Sequence, residues 1–432
     1  MIPVSAGARG RLLPVSLPMR YFGAAAAFQV LAWGLLLAGA DALAEFRGGL
    51  GPLFAALHCV TLGVLVMTAV GASLQMLPVS TRQPLRSVAA ARAVWWLLAP
   101  GVLVFAAGAA AFEPRLMALG AVAVFAALAV YSWLLFANLR HARGMPAIRA
   151  YGWAALACLV ATLLLGMALV AHYEHGIALD RAAFALAHLV LASYGFMGLL
   201  AFGLSCFMLP MFALAPPPSG RLASATLAAA LAALALALAA IALGRHGPLL
   251  ALACALGLAA AVLHVVMMER SLRARLRPPL GAAFLLVRVS WGCLAGSLAL
   301  GGALALELAP ERLAVLFGVL LLPGWLLTFV LAVLQRIVPF LASVHAGAAG
   351  RGPALVSAMT PERALAAHRL LHLGAVALLA AGAASDVAML ASAGAALGLA
   401  AAIVFGAFIV AVLLRLRGSG SRGRPDVLQP TN

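Results

Sequence analysis

The sequence predicts an all-α membrane protein with twelve transmembrane helices in three quasi-repeated four-helix arcs. Three observations lead there. Of 432 residues, 66% are hydrophobic and 9% charged, and the mean hydropathy is +1.13, a composition foreign to soluble domains. The apolar runs are about 20 residues long, the length a helix needs to cross the hydrocarbon, whereas barrel strands would alternate over about 10. And one apolar helix recurs three times, at 57–79, 187–211 and 322–340.

Aligned on their prolines, the three copies carry small residues at matching places: Gly63, Gly71 and Pro78; Gly195, Gly203 and Pro210; Gly324, Ala332 and Pro339. At about 100° per residue these positions fall on one side of a helix, a seam where a backbone or a flat ligand can come close. The prolines are expected to mark the helix ends. The recurrence makes repetition the first fact about the fold.

Twelve spans follow, at about 20–42, 51–79, 91–111, 116–139, 150–171, 182–213, 222–244, 247–269, 281–304, 313–341, 363–384 and 386–414. They form one transmembrane domain over 1–432, with quasi-repeats near 20–140, 150–269 and 281–414 and a disordered tail at 415–432. The end of the first span (AGADALAEF) resembles a signal-peptide cleavage site. Three arginines ahead of it, and the need for a first helix in the first repeat, favour a retained span.

Charge sets the orientation. All 28 basic residues are arginine. One side of the twelve-span topology takes 23 of them and three of the 11 acids; the other takes five arginines and eight acids. The arginine-rich side, which holds both termini, is expected to be cytoplasmic in a bacterial inner membrane. The net charge of +17 therefore reflects topology and contact with anionic lipid, not nucleic acid. The five cysteines lie in apolar runs without CxxC spacing and read as buried thiols.

An imidazole inside an apolar span is costly unless it is bonded, so His58 and His188 are the leading candidates for cofactor binding. Haem suits imidazole donors beside an apolar wall. His58 precedes its glycine by five residues and His188 by seven, which turns them onto different faces of their helices. The third copy offers only Val319 or Phe317 there. His368 and His372, four apart on one face, suggest a further site, with His372 the deeper. His172 and His175, beside Glu174 in the outer loop before the sixth span, have metal-ligand spacing that suits copper or zinc, although a solvated polar loop explains them as well. Arg288 and Arg336 lie near enough to the core to meet a haem propionate, or to snorkel.

These residues resemble a known superfamily. Twelve helices in three arcs, with histidines in the second and sixth, are similar to the catalytic subunit of haem–copper oxidases and nitric oxide reductases. The segment HCVTLGVLVMTAVGASLQMLPV looks like the second helix of NnrS-type membrane proteins. The resemblance implies b-type haem, with copper as a second cofactor, a role in electron transfer or in handling nitric oxide or another small gas, and a cytochrome or other membrane redox subunit as partner. It also has gaps. The seventh span has no histidine for a copper pair, the tenth has no haem ligand, and the proton-channel acids and lysines are missing. A complete terminal oxidase is not expected. A cofactor-free scaffold, assembly subunit or metal carrier is the alternative.

Overall fold

The computed structural model describes residues 13–276, 280–348 and 355–418. The predicted tail at 415–432 lies outside them from residue 419 onward. Among the described residues the regular structure is helical. Twelve helices are long and apolar enough to cross a bilayer. They are α1 Ser16–Ala38, α2 Pro52–Ser80, α3 Val88–Ala110, α4 Pro114–Arg140, α5 Pro146–His175 and α6 Arg181–Ala213. There follow α7 Gly220–Ala242, α8 Pro248–Arg273, α9 Ala283–Ala305, α10 Glu311–Ala346, α11 Glu362–Ser385 and α12 Ala388–Arg417. Large apolar side chains such as Trp96, Leu119, Leu164 and Leu370 point outward, as a lipid-facing surface requires.

The same packing recurs every four helices. Hairpins α3–α4, α7–α8 and α11–α12 are matched, and so are the contacts α1–α2, α5–α6 and α9–α10. Arcs join through α4–α5, α8–α9 and α12–α1, so α1 closes the ring against α12. Within the ring, α2, α6 and α10 form the inner set.

Each inner helix contains a π-helical stretch of eight residues: Cys59–Val66, Leu191–Gly198 and Leu320–Leu327. Each stretch ends twelve residues before Pro78, Pro210 or Pro339, so all three share one register. The stretch of α10 touches those of both α2 and α6. A π-helix shifts the hydrogen bonds to i→i+5 and is ordinarily confined to single-turn bulges. In α10 the slack is taken up by Thr328 Oγ1, which donates to Pro323 O at 2.7 Å.

Two expectations need correction. The proline does not end α10, which runs on to Ala346, whereas α2 and α6 stop two and three residues past theirs, at Ser80 and Ala213. Within apolar surroundings the loss of one N–H donor near a helix end is tolerated where neighbouring groups satisfy the backbone. Just past Pro78 the helix end is closed at Leu77 O, which accepts from Thr81 N at 2.8 Å and from Thr81 Oγ1 at 2.6 Å. The small-residue seam, in turn, admits a neighbouring helix and not a flat ligand. Cβ atoms at Gly63 and Gly71 would strike Phe28 and Tyr21 of α1 at 2.5 and 2.6 Å. Those at Gly195 and Gly203 would strike Cys158 and Tyr151 of α5 at 2.8 and 2.6 Å, and one at Gly324 would reach Cys293 of α9 at 3.0 Å.

A second repeated contact fixes the outer helices. Tyr21 donates to Ala91 O of α3 at 2.7 Å, and Tyr151 donates to Ala223 O of α7 at 3.1 Å. Ala91 and Ala223 thus correspond, which aligns Leu98 with Ala230 and Phe105 with Ala237.

Candidate functional site

The two leading imidazoles face the first arc from opposite walls. His58, half-buried on α2, packs against Phe54 and against Phe105 of α3, with ring centroids 4.3 and 5.0 Å away. Phe54 in turn meets Tyr173 of α5 at 6.3 Å. His188, half-buried on α6, turns toward α5, where a Cβ at Gly166 would come within 3.1 Å of its Cε1. The unequal spacing of the two histidines from the glycines is what lets them approach one arc from two helices.

Repetition explains this placement. His58 and Val190 both stand twenty residues before their prolines, and His188 and Phe317 twenty-two. A Cβ at Gly301 would meet Phe317 at 3.2 Å, just as one at Gly166 meets His188. His58 and His188 are therefore the first-arc versions of two apolar wall residues in the second arc.

Both rings are oriented for ligation through Nε2. Nδ1 of His58 lies 3.0 Å from Phe54 O, and Nδ1 of His188 lies 3.1 Å from Thr162 O. A carbonyl only accepts, so each Nδ1 carries the hydrogen and each Nε2 holds a lone pair. This is the arrangement by which proteins orient a metal-binding imidazole.

Two of the remaining buried histidines, His264 and His372, are engaged the other way round, through Nε2. Ser205 Oγ gives its hydrogen to Phe202 O at 2.9 Å, so His264 Nε2, 3.1 Å away, must be the donor to Ser205. His264 also stacks on Phe202 at 3.9 Å. The same logic holds for His372: Thr328 Oγ1 is spent on Pro323 O, so His372 Nε2 donates to it at 2.8 Å. His372 is fully buried between α11 and α10, outside the first arc, and its Nδ1 meets no partner. His368 stacks on His372 at 5.6 Å, with Nδ1 3.0 Å from Gln335 Nε2. His368 Nε2 is buried without a partner, while His372 Nε2 is committed to Thr328, so the two rings do not offer a pair of free Nε2 atoms.

His172 and His175 sit on the last turn of α5, which runs on to His175; neither is in a loop. His172 Nδ1 faces Ile177 O at 2.8 Å, and His175 Nε2 lies 3.7 Å from Glu174. Among the described residues no three His, Cys, Asp or Glu side chains converge as a metal site. Arg288 is engaged by Glu269 of α8 in a two-pronged ion pair of 2.6 and 3.0 Å. That pairing accounts for an acid near the arginine-rich end. Arg336 reaches Phe212 O at 3.4 Å.

The second arc contains what composition did not reveal, a chamber of about 350 Å³ walled by α6 to α10. Val190, Ala230, Ala237 and Phe317 line it. At the matching first-arc positions stand His58, Leu98, Phe105 and His188, so the second chamber is open where the first is filled. No protein-family model matches the chain, and no curated protein matches it.

The tautomer argument for His264 predicts a specific pattern of stability. Ser205→Ala strands a buried N–H and should destabilise the detergent-solubilised protein by about 1–3 kcal/mol. Adding His264→Phe, which removes the stranded donor, should recover most of that loss in a thermal-unfolding assay. If the double variant is less stable than the single one, His264 has a further partner.

Proposed function

We propose that the chain is a haem-binding, haem–copper-oxidase-like protein of the bacterial inner membrane that handles electrons or a small gas and is not a terminal oxidase. The observation that carries this reading is the pair of imidazoles on α2 and α6. Both have Nδ1–H committed to a backbone carbonyl, and both face the first arc with Nε2 free. The donor chemistry fits a b-type haem, two neutral imidazoles beside apolar side chains, and Phe54 and Phe105, which pack on His58, would have to give way to admit it. When bound, that group supplies one-electron chemistry or, with one position open, gas binding.

The protein's own part is orientation. Phe54 O fixes the His58 ring from within α2, and Thr162 O fixes His188 from α5. A ligand from each of two helices favours electron transfer over gas binding, with a cytochrome or other membrane redox subunit as the natural partner. The bilayer contacts the rest of the surface. Copper has no comparable set of donors among the described residues.

The cofactor-free reading, a scaffold or carrier that reuses the fold, draws on a different observation. Phe54 and Phe105 pack directly on His58, while the open chamber of the second arc has no histidine on its walls.

An absorption spectrum separates the two. Protein expressed with added haem precursor and purified intact should show a Soret band. His58→Ala should abolish it, His188→Ala should convert a six-coordinate spectrum to a five-coordinate one, and His372→Ala should leave it unchanged. A folded, haem-supplemented protein without the band, or a band that survives His58→Ala, overturns the haem assignment.

Orientation is tested separately. A fluorescent reporter that matures only in the cytoplasm should be bright when fused to the carboxyl end; an active periplasmic phosphatase fusion there would reverse the topology.

A further inference from the structure

We infer that the chamber of the second arc holds a hydrocarbon chain drawn from the membrane, lying parallel to the helices. Three observations favour it over other contents. The pocket, about 350 Å³ and half-open to its surroundings, is within reach of the bilayer hydrocarbon, which would fill it. Water is disfavoured because the walls are almost wholly leucine, alanine, glycine and aromatic carbon, and apolar cavities stay dry. A polar ligand finds almost nothing to bind. Of the lining side chains, Tyr194 and Cys254 are the ones with a hydroxyl or thiol.

The hydroxyl is already spent. Ser297 Oγ gives its hydrogen to Leu294 O at 2.8 Å, so Tyr194 must donate to Ser297, 3.0 Å away. That leaves the Cys254 thiol, a weak donor, and the single indole N–H of Trp325. The shape completes the argument. On α8 the lining runs from Leu250 to Ala261, about 17 Å along the helix axis at 1.5 Å per residue. The chamber is therefore long and oriented along the helices, as a lipid tail is. Its volume also falls within the range of about 300–1,000 Å³ found for small-molecule sites.

An acyl chain of a phospholipid and the isoprenoid tail of a quinone share this chemistry, and the experiment tells them apart. The chamber exists because Ala230 and Ala237 stand where the first arc has Leu98 and Phe105, so Ala230→Leu with Ala237→Phe should fill it in the manner the same fold already tolerates. Wild-type protein and the double variant are passed through detergent exchange, and retained phospholipid and quinone are quantified per chain by mass spectrometry. Wild type should keep a chain-bearing molecule, and the filled variant about tenfold less. Whether that molecule is phospholipid or quinone identifies the source. Equal retention in both proteins, or none in wild type, overturns the inference.

If the variant does not fold, alkylation of Cys254 in delipidated wild type by N-ethylmaleimide gives a second reading. Adding back a dioleoyl phosphatidylethanolamine or a decyl-ubiquinone should slow the reaction severalfold, and protection by neither contradicts the assignment. Haem content is read from the same preparation, so loss of the first-arc cofactor and loss of the second-arc chain are separate outcomes.

Discussion

Close approach between a glycine-bearing helix and the helix before it, made three times, is the constraint on which this architecture rests. Gly63 and Gly71 admit Phe28 and Tyr21, and Gly195 and Gly203 admit Cys158 and Tyr151; Gly324 admits Cys293. In a bilayer the apolar effect does not drive helices together, so contact at backbone distance must supply the attraction. Once α1, α5 and α9 are locked to α2, α6 and α10, the latter are held inward and their π-helical stretches come together. The hairpins then complete the ring around them.

One framework used three times need not give three identical interiors. The first arc places imidazoles on two of its walls. The second keeps the corresponding positions apolar and is alanine-rich on α7, which leaves room. The third presents His372 and Thr328, bonded to each other, with Thr328 nine residues nearer its proline than His58 is to Pro78. Side-chain choice on a repeated backbone thus separates a candidate cofactor site, an apolar chamber and a packed polar contact.

Much of this was legible in the sequence, and the parts that were not have physical reasons. Span number and position follow from apolar run length, and the limits fall within about five residues because a bilayer fixes how much helix it covers. The triplet Gly63, Gly71 and Pro78 and its two repeats revealed the recurring helix. The π-helical stretches did not show, since they depend on which carbonyl each N–H finds and no residue type dictates that. Pro339 misled, because a proline can persist within a helix in apolar surroundings and α10 runs on to Ala346. The second-arc chamber left no trace in composition; it comes from small residues at facing positions on α7, α8 and α9, which only the packing brings opposite one another. His58 and His188 were visible as intramembrane imidazoles, but their common arc depended on the repeat register.

The most direct test of the account is an experimental density map of the protein in a lipid nanodisc, read at α2, α6 and α10. The account predicts three π-helical stretches in equivalent registers, with that of α10 touching the other two, and the side chains of His58 and His188 facing the same arc. A map in which those helices are separated by other elements, or in which the two imidazoles open into different arcs, would contradict it.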